Sequence, residues 1–457
     1  MNGPSELQQR NAAFRAFLDT LHPAQRRAVD QIEGPVLVIA GPGTGKTHIL
    51  TARIGKILLD TDTRPQNILC LTFTDAAVLA MRRRLLERIG PDAYRVPVYT
   101  FHAFCNRVIQ ENLEFFGRTR LEPLTDLERI EIVRHILSAL PPDHLLRQGQ
   151  RDLFHYEEQL RDLFVTMKKE NWTPGYVIKK TTEYETELPQ NKEFIYQRKT
   201  KTAQKGDLKT EKIAGELEKM ARVRAAADLF PKYLHALERT GRYEYEDMLL
   251  WVVRAFQKNK NLLRSYQERY LYVLVDEYQD TNGAQNRLLH QLLDYWDVPN
   301  VFIVGDDDQS IYEFQGARLK NLLDFYRLYK DGLETVVLER NYRSAQEILD
   351  AATRVITQNT LRAVSSFDTP LNKNLLAHHT APGTPLLLEY KNRLHEVADV
   401  VQRIETLIQS GATPSEIAVL YARHRQSERL IRLLEKKGIP YETKRPVNIL
   451  DLPHIQQ

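Results

Sequence analysis

Cysteine is nearly absent from this sequence: Cys70 and Cys105 are the only two in 457 residues, with no CxxC spacing and no histidine cluster beside either. That argues against a disulfide framework and a thiolate zinc site, and it fits a reducing, cytoplasmic compartment. No apolar run approaches the ~18 residues that a membrane-spanning helix requires, so no membrane partner is expected. Residues 1–14 carry no apolar core behind a positive charge and do not read as a secretory signal. An excess of charge of one sign is missing too. The 64 lysines and arginines stand against 60 acids, leaving a net charge of +4, which is compatible with a nucleic-acid partner without arguing for one. No internal repeat or extended low-complexity tract is present.

What is present is a chain too long for one core, suggesting about three domains at ~150 residues each. Its 42% hydrophobic and 27% charged residues suit a folded soluble protein. Short apolar runs, Val36-Leu37-Val38-Ile39, Ile68-Leu69-Cys70-Leu71 and Val98-Tyr99-Thr100-Phe101, alternate with helical patterns and predict strands of a parallel α/β sheet buried on both faces. Across residues 106–240 the strand signal fades into long charged helices, as at 126–140 and 212–237. Within them, residues 198–212 are rich in lysine, read either as a solvated loop or as a basic loop near a nucleic-acid backbone. Strand signals return at Tyr272-Val273-Leu274-Val275 and Val301-Phe302-Ile303-Val304, so one sheet interrupted by a helical insertion is expected. Further strands are predicted at 335–338, 386–388 and 417–421. The stripe Leu394/Val397/Val401/Ile404/Ile408 predicts a helix closing at Gly411.

Ala40-Gly41-Pro42-Gly43-Thr44-Gly45-Lys46-Thr47 follows the first strand and opens a helix, the context a phosphate-binding loop requires. Glycines let backbone N–H groups turn inward as an anion nest, and the helix N-terminus adds partial positive charge. Lys46 would reach the β- and γ-phosphates of ATP and Thr47 would coordinate Mg²⁺. The matching acids stand at the end of another apolar strand. Asp276 is the expected metal ligand and Glu277 the expected base for the attacking water. Gly305-Asp306-Asp307-Asp308-Gln309-Ser310-Ile311-Tyr312 follows a third strand. Its three acids would repel one another in a merely structural turn, and Gln309 could sense a γ-phosphate.

Taken in order, these motifs resemble superfamily 1 helicases of the UvrD/Rep/PcrA type, from about Leu21 to the C-terminus and least between residues 106 and 240. The resemblance implies a P-loop NTPase of RecA-like α/β fold, with ATP and Mg²⁺ as cofactors. It implies a 3′→5′ helicase or translocase on single-stranded DNA and ss/ds junctions, in repair or recombination. Leu21-His22-Pro23-Ala24-Gln25 looks like the family's adenine-reading motif, with Gln25 as reader. Asn341-Tyr342-Arg343-Ser344 looks like the motif entering the second motor domain, with Tyr342 stacking on adenine and Arg343 as an arginine finger. The expected nucleotide-binding set is Gln25, Gly41, Gly43, Thr44, Gly45, Lys46, Thr47, His48, Tyr342 and Arg343; the catalytic set is Lys46, Glu277, Gln309 and Arg343. Thr72-Phe73-Thr74 with Met81-Arg82, and Thr100-Phe101-His102, resemble motifs lining the single-strand path. Thr72, Phe73, Phe101, His102, Tyr312 and Phe314 are therefore expected at DNA, the phenylalanines as stacking platforms or else as core. Glu244-Tyr245-Glu246-Asp247-Met248 is similar to an acidic-aromatic motif preceding the metal-binding strand.

The implied organisation is a first motor domain in two parts, 1–105 and 241–325, an inserted helical subdomain at 106–240, and an incomplete second RecA-like domain at 326–457. Some positions depart from the family pattern. Glu313, Phe314 and Gln315 replace arginine, tryptophan and arginine, and Asp75-Ala76 replaces asparagine-lysine. Two further motifs of the family do not occur before Gln457. The alternatives are then an ATP- and ssDNA-binding module without unwinding activity, or the motor part of a helicase–nuclease.

Overall fold

The computed structural model describes residues 6–117, 122–147, 152–199, 203–310, 319–359, 367, 371, 373–380 and 383–443. It divides into two compact units, Met1–Gly383 and Thr384–Gln457.

The first unit is built on a six-stranded sheet in the order Val98–Thr100, Ile68–Thr72, Tyr272–Val275, Val301–Gly305, Val36–Ala40, Glu334–Leu338. Every pairing is parallel. Alternate side chains of each strand point to opposite faces, and both faces are covered. Leu37, Ile39, Leu69, Leu71, Val273 and Val275 pack into one core with the helices Phe101–Glu111, Tyr245–Lys258 and Gly283–Leu293. Val36, Val38, Ile68, Cys70 and Leu274 pack into the other with the helices Lys46–Asp60 and Asp75–Ile89. Two buried faces are why these strands read as unbroken apolar runs rather than alternating ones. Both cysteines lie in these cores as free thiols, with burial pushing each thiol upward.

The strand expected to open the second motor domain does not do so. Glu334–Leu338 pairs along its whole length with Val36–Ala40 and forms the edge of the first sheet. The compact unit that holds this strand runs on to Gly383. A strand with one apolar face needs a ladder partner, and the phosphate-loop strand offered its open side.

Between the two parts of the sheet lie the helices Asp126–Ser138, Glu157–Lys169, Pro174–Glu187, Thr210–Ala227 and Phe230–Thr240. They enclose their own core around Leu160, Phe164, Phe230 and Tyr233. The single helix suggested at 212–237 is two, because Pro231 in the first turn of the second has no N–H to continue the first. This bundle is tied to the sheet by a buried charge cluster. The Lys168 ammonium donates to Glu244 at 2.5 Å and to Asp247 at 2.8 Å, and the three side chains are 0%, 1% and 6% exposed. Arg129 stands 2.6 Å from the other Glu244 oxygen.

In the second unit the helix Arg393–Gln409 forms as expected. Asn392 caps it by accepting from the N–H groups of Leu394 and His395, and Gly411 follows with φ +103°. Val397, Val401 and Ile404 pack on Leu430 and Leu434 of Ser427–Lys436. Leu394, counted in the apolar stripe, is exposed. The strands expected at 386–388 and 417–421 are not formed: neither run joins a β-ladder, and Leu387 is 90% and Leu420 95% exposed. An apolar run becomes a strand only where a neighbour completes its hydrogen bonds. Among the described residues of this unit no such ladder is present.

Removing one member of a buried charge cluster leaves the others uncompensated, which costs about 3–5 kcal/mol. Lys168→Met is therefore expected to lower the stability of the first unit by that amount, measured by urea denaturation. A loss no larger than that of an exposed substitution such as Lys179→Met would contradict the cluster's structural role.

Candidate nucleotide site

Because all six strands run the same way, their carboxyl ends share one edge, where ligands bind in open α/β sheets. The loop after Val36–Ala40 lies there. Gly43 and Gly45 take φ of +70° and +92°, and Gly45 caps the helix Lys46–Asp60. Only glycine adopts such backbone without strain. Thr44 is buried, its hydroxyl donating to the Gly41 carbonyl at 2.8 Å. The Gln25 amide donates to the Thr44 carbonyl at 2.9 Å and accepts from the His22 N–H, so Gln25 braces the loop from the helix Pro23–Asp30. Thr47 sits in the first helical turn, beside Lys46.

One strand away on each side of Val301–Gly305 stand the loop and the acids that answer it. The Lys46 ammonium donates to Glu277 at 2.7 Å and lies 3.4 Å from the side-chain amide oxygen of Gln309. Asp276 is buried at the strand end, where its carboxylate accepts the Glu277 N–H at 2.9 Å. Burial, and then the neighbouring Glu277 carboxylate, push Asp276 up to about 7; the same two causes push Asp280 up to about 6. Glu277 itself has φ +47°. Gln309 donates to Asp306.

Tyr342 and Arg343, expected to reach in from a second domain, belong to the same compact unit as the phosphate loop. The Tyr342 N–H donates to the Gly43 carbonyl at 2.8 Å, and the Asn341 amide donates to the Pro42 carbonyl at 2.5 Å. The approach is so close that a Cβ on Gly43 would lie 2.7 Å from the Arg343 Cβ. Tyr342, Gln25, Gly45 and His48 line a cavity of about 410 Å³, together with Arg84 and Arg88. Burial and then those two arginines lower the pKa of His48, holding it neutral near pH 7. A nucleoside-sized hollow thus opens directly onto an anion nest.

The positions expected at DNA fare differently. Thr72 and Phe101 lie at the same sheet edge but are buried, Phe101 at 2% exposure in the core beside Phe104 and Leu69. Phe101 is therefore core and not a platform, because Thr100 caps the helix it begins and turns its ring onto the sheet. Phe73 is partly exposed. His102 is also partly buried, and its pKa is lowered first by that burial. Tyr312, Phe314, Glu313 and Gln315 lie outside the described residues.

Four further residues, Gln279, Arg84, Arg88 and Lys373, contribute to the site. Gln279 donates to Glu277 at 2.8 Å and accepts the Asp306 N–H at 2.9 Å, bridging two strand ends. Arg84 and Arg88 share a helix face by their spacing of four, a signal readable in the sequence. Lys373 contacts all three acids of the 306–308 loop, and nothing local announces it.

A parallel sheet with a glycine-lined anion nest, a lysine in its first helical turn and facing acids at neighbouring strand ends defines a P-loop NTPase of the RecA-like α/β class. Within that class the chain belongs to the UvrD/REP helicase family. The model for the UvrD/REP helicase N-terminal domain matches residues 21–330, and that for the UvrD-like helicase C-terminal domain matches residues 336–451. The chain is similar to proteins named ATP-dependent DNA helicase PcrA. It is 28% identical to that of Bacillus subtilis (strain 168) over 433 residues and 30% identical to that of Staphylococcus epidermidis over 435 residues. Each match takes in 94% of this chain and 51% of the relative, so the chain spans about half the length of these curated relatives.

Asp276 supplies a test of the site's electrostatics. Its folded pKa lies above the ordinary 3.8, so folding favours the protonated form. That contribution is full at low pH and is lost as pH rises through about 7. The stability of Asp276→Asn relative to the parent chain should therefore grow between about pH 4 and pH 7 by at most about 4 kcal/mol, then level off. Urea midpoints in chelator-containing buffer measure this; a difference that stays flat across the range would remove the buried-carboxyl account.

Proposed function

We propose that this chain is the ATP-hydrolysing portion of a DNA translocase that moves 3′→5′ on single-stranded DNA and at ss/ds junctions, in DNA repair or recombination. The observation that carries the reading is the convergence of Lys46, Glu277 and Gln309 at one sheet edge, with Asn341 and Tyr342 stitched to the phosphate loop. Adenine would lie between Tyr342 and the Gln25/His48 wall. The phosphates would take the inward N–H groups of residues 41–47, and Lys46 would exchange Glu277 for the β- and γ-phosphates. Released from that ion pair, Glu277 would accept the proton of the attacking water, and Gln309 and Arg343 would contact the γ-phosphate.

The donor set fits Mg²⁺: a buried carboxyl at Asp276, raised by burial and given one backbone N–H, stands at the same sheet edge as the start of the helix that carries Thr47, two strands from the phosphate-loop strand. The Thr47 hydroxyl and Asp276 would hold the ion, which neutralises phosphate charge when bound. In this reading the sheet and its helices are the first motor domain, the bundle within 106–240 is its insertion, and the second unit is part of the second motor domain. Phe73, His102, Tyr312 and Phe314 would follow the strand of DNA, with aromatic stacking worth ~1–3 kcal/mol per base. Thr72 and Phe101 would support that surface from beneath.

ATP hydrolysis by this chain should rise on addition of single-stranded DNA, and Lys46→Ala should lower it about 100-fold or more by removing the cation that meets the developing charge. Hydrolysis indifferent to DNA would sink the translocase reading. Glu277→Gln should retain binding of a fluorescent ATP analogue and lose turnover; turnover close to that of the parent chain would remove Glu277 as base.

A further inference from the structure

Three adjacent acids at the end of a buried strand need a counter-charge. The chain supplies one from far away in sequence. The Lys373 ammonium contacts Asp306, lies 2.7 Å from Asp308 and 3.5 Å from Asp307, and is itself 2% exposed. Asp306 accepts from Gln309, the residue that faces Lys46. Asp306 is also held through its N–H by Gln279, which bonds Glu277. Lys373 therefore stands two contacts from Gln309 and three from Glu277.

The residues after Lys373 touch the rest of the site. A Cβ on Gly41 would meet the Leu375 side chain at 2.6 Å, so Leu375 lies against the phosphate loop. Leu376 and Ala377 pair in parallel with Arg340 and Asn341, immediately before Tyr342 and Arg343. One five-residue segment thus contacts the acid loop, the phosphate loop and the strand that carries the adenine-side motif.

We propose that Lys373 is a positioning residue for ATP hydrolysis: by binding the Asp306–Asp308 carboxylates it fixes the loop that aims Gln309 at the γ-phosphate, and links that loop to the Tyr342/Arg343 strand. The three carboxylates lie within 4.8 Å of one another, close enough for a metal ion, but the ammonium already serves as their cation. Lys373 stays charged, since the raising effect of the three carboxylates outweighs the lowering effect of its burial. The proposal rests on the hydrolytic reading above.

The test compares Lys373→Met, Lys373→Arg and the charge-compensated pair Lys373→Met/Asp308→Asn, each also in a Gln309→Ala background. Expected is a fall in kcat of about tenfold or more for Lys373→Met, with affinity for a fluorescent ATP analogue changed by less than about threefold. Lys373→Arg should recover part of the loss. The compensated pair should fold and remain slow. In the Gln309→Ala background Lys373→Met should add less than about a twofold loss, because both changes remove the same contact. Equal losses in both backgrounds, or a compensated pair with parental kcat, would overturn the positioning role. Hydrogen–deuterium exchange across residues 305–310 provides a readout free of turnover and should rise in Lys373→Met. If the parent chain hydrolyses no ATP, the hydrolytic reading falls and the loop-holding role is judged by exchange alone; unchanged exchange overturns it.

Discussion

Parallel strands whose two faces are both buried leave a chain one place to put chemistry, the edge where the strands end. Six strands obey that constraint here, and the phosphate loop, the Asp276/Glu277 pair and the 306–309 loop each begin where one of them stops. Adjacent strands lie ~4.8 Å apart, so groups two strands apart are within a lysine's reach. The strand Val301–Gly305 separates the phosphate-loop strand from the acid strand, and Lys46 bridges that gap to Glu277. Residues more than 200 apart in sequence therefore meet without any loop having to wander.

The contacts at that edge form a closed circuit. Lys46 touches Glu277 and Gln309, Gln309 touches Asp306, Asp306 touches Gln279, and Gln279 returns to Glu277. Each side chain is held at two points, Gln279 by Glu277 and the Asp306 backbone N–H, and the Asp306 carboxylate by Gln309 and Lys373, which limits the rotamers any one can adopt alone. The arrangement also keeps the cation and the prospective base quenched by each other. In the proposed function an incoming phosphate would compete with Glu277 for Lys46, and the freed carboxylate would be left a basic group beside it. Under that proposal, nucleotide entry and activation of the base would be one event rather than two.

How much of this was legible in the sequence follows from the range of each interaction. The phosphate loop, the two acids and the strands around them were readable because their signals are local: an apolar run, then glycines or acids, then a helix. The fate of Phe101 was not, because a motif gives the residue type but not the face on which the helix cap at Thr100 sets it. The edge strand Glu334–Leu338 was seen as a strand but assigned to the wrong sheet, since apolar pattern does not name its partner. Lys373 was invisible: its role exists only because 65 residues of chain return it to Asp308. The runs at 386–388 and 417–421 show the converse, strand-like patterns without a ladder to join.

Among the described residues only Asn171 and Glu277 adopt positive φ without being glycine. For a residue with a Cβ that conformation costs of order 1–2 kcal/mol. At Glu277 it aims the carboxylate back across the sheet edge toward Lys46, where a relaxed backbone would turn it elsewhere. Sequence optimisation guided by thermal endurance alone would accordingly favour glycine or asparagine at position 277, and would reward the loss of the group proposed as the base. Variants of this chain selected for robustness need that position held fixed, because there durability and chemistry pull in opposite directions.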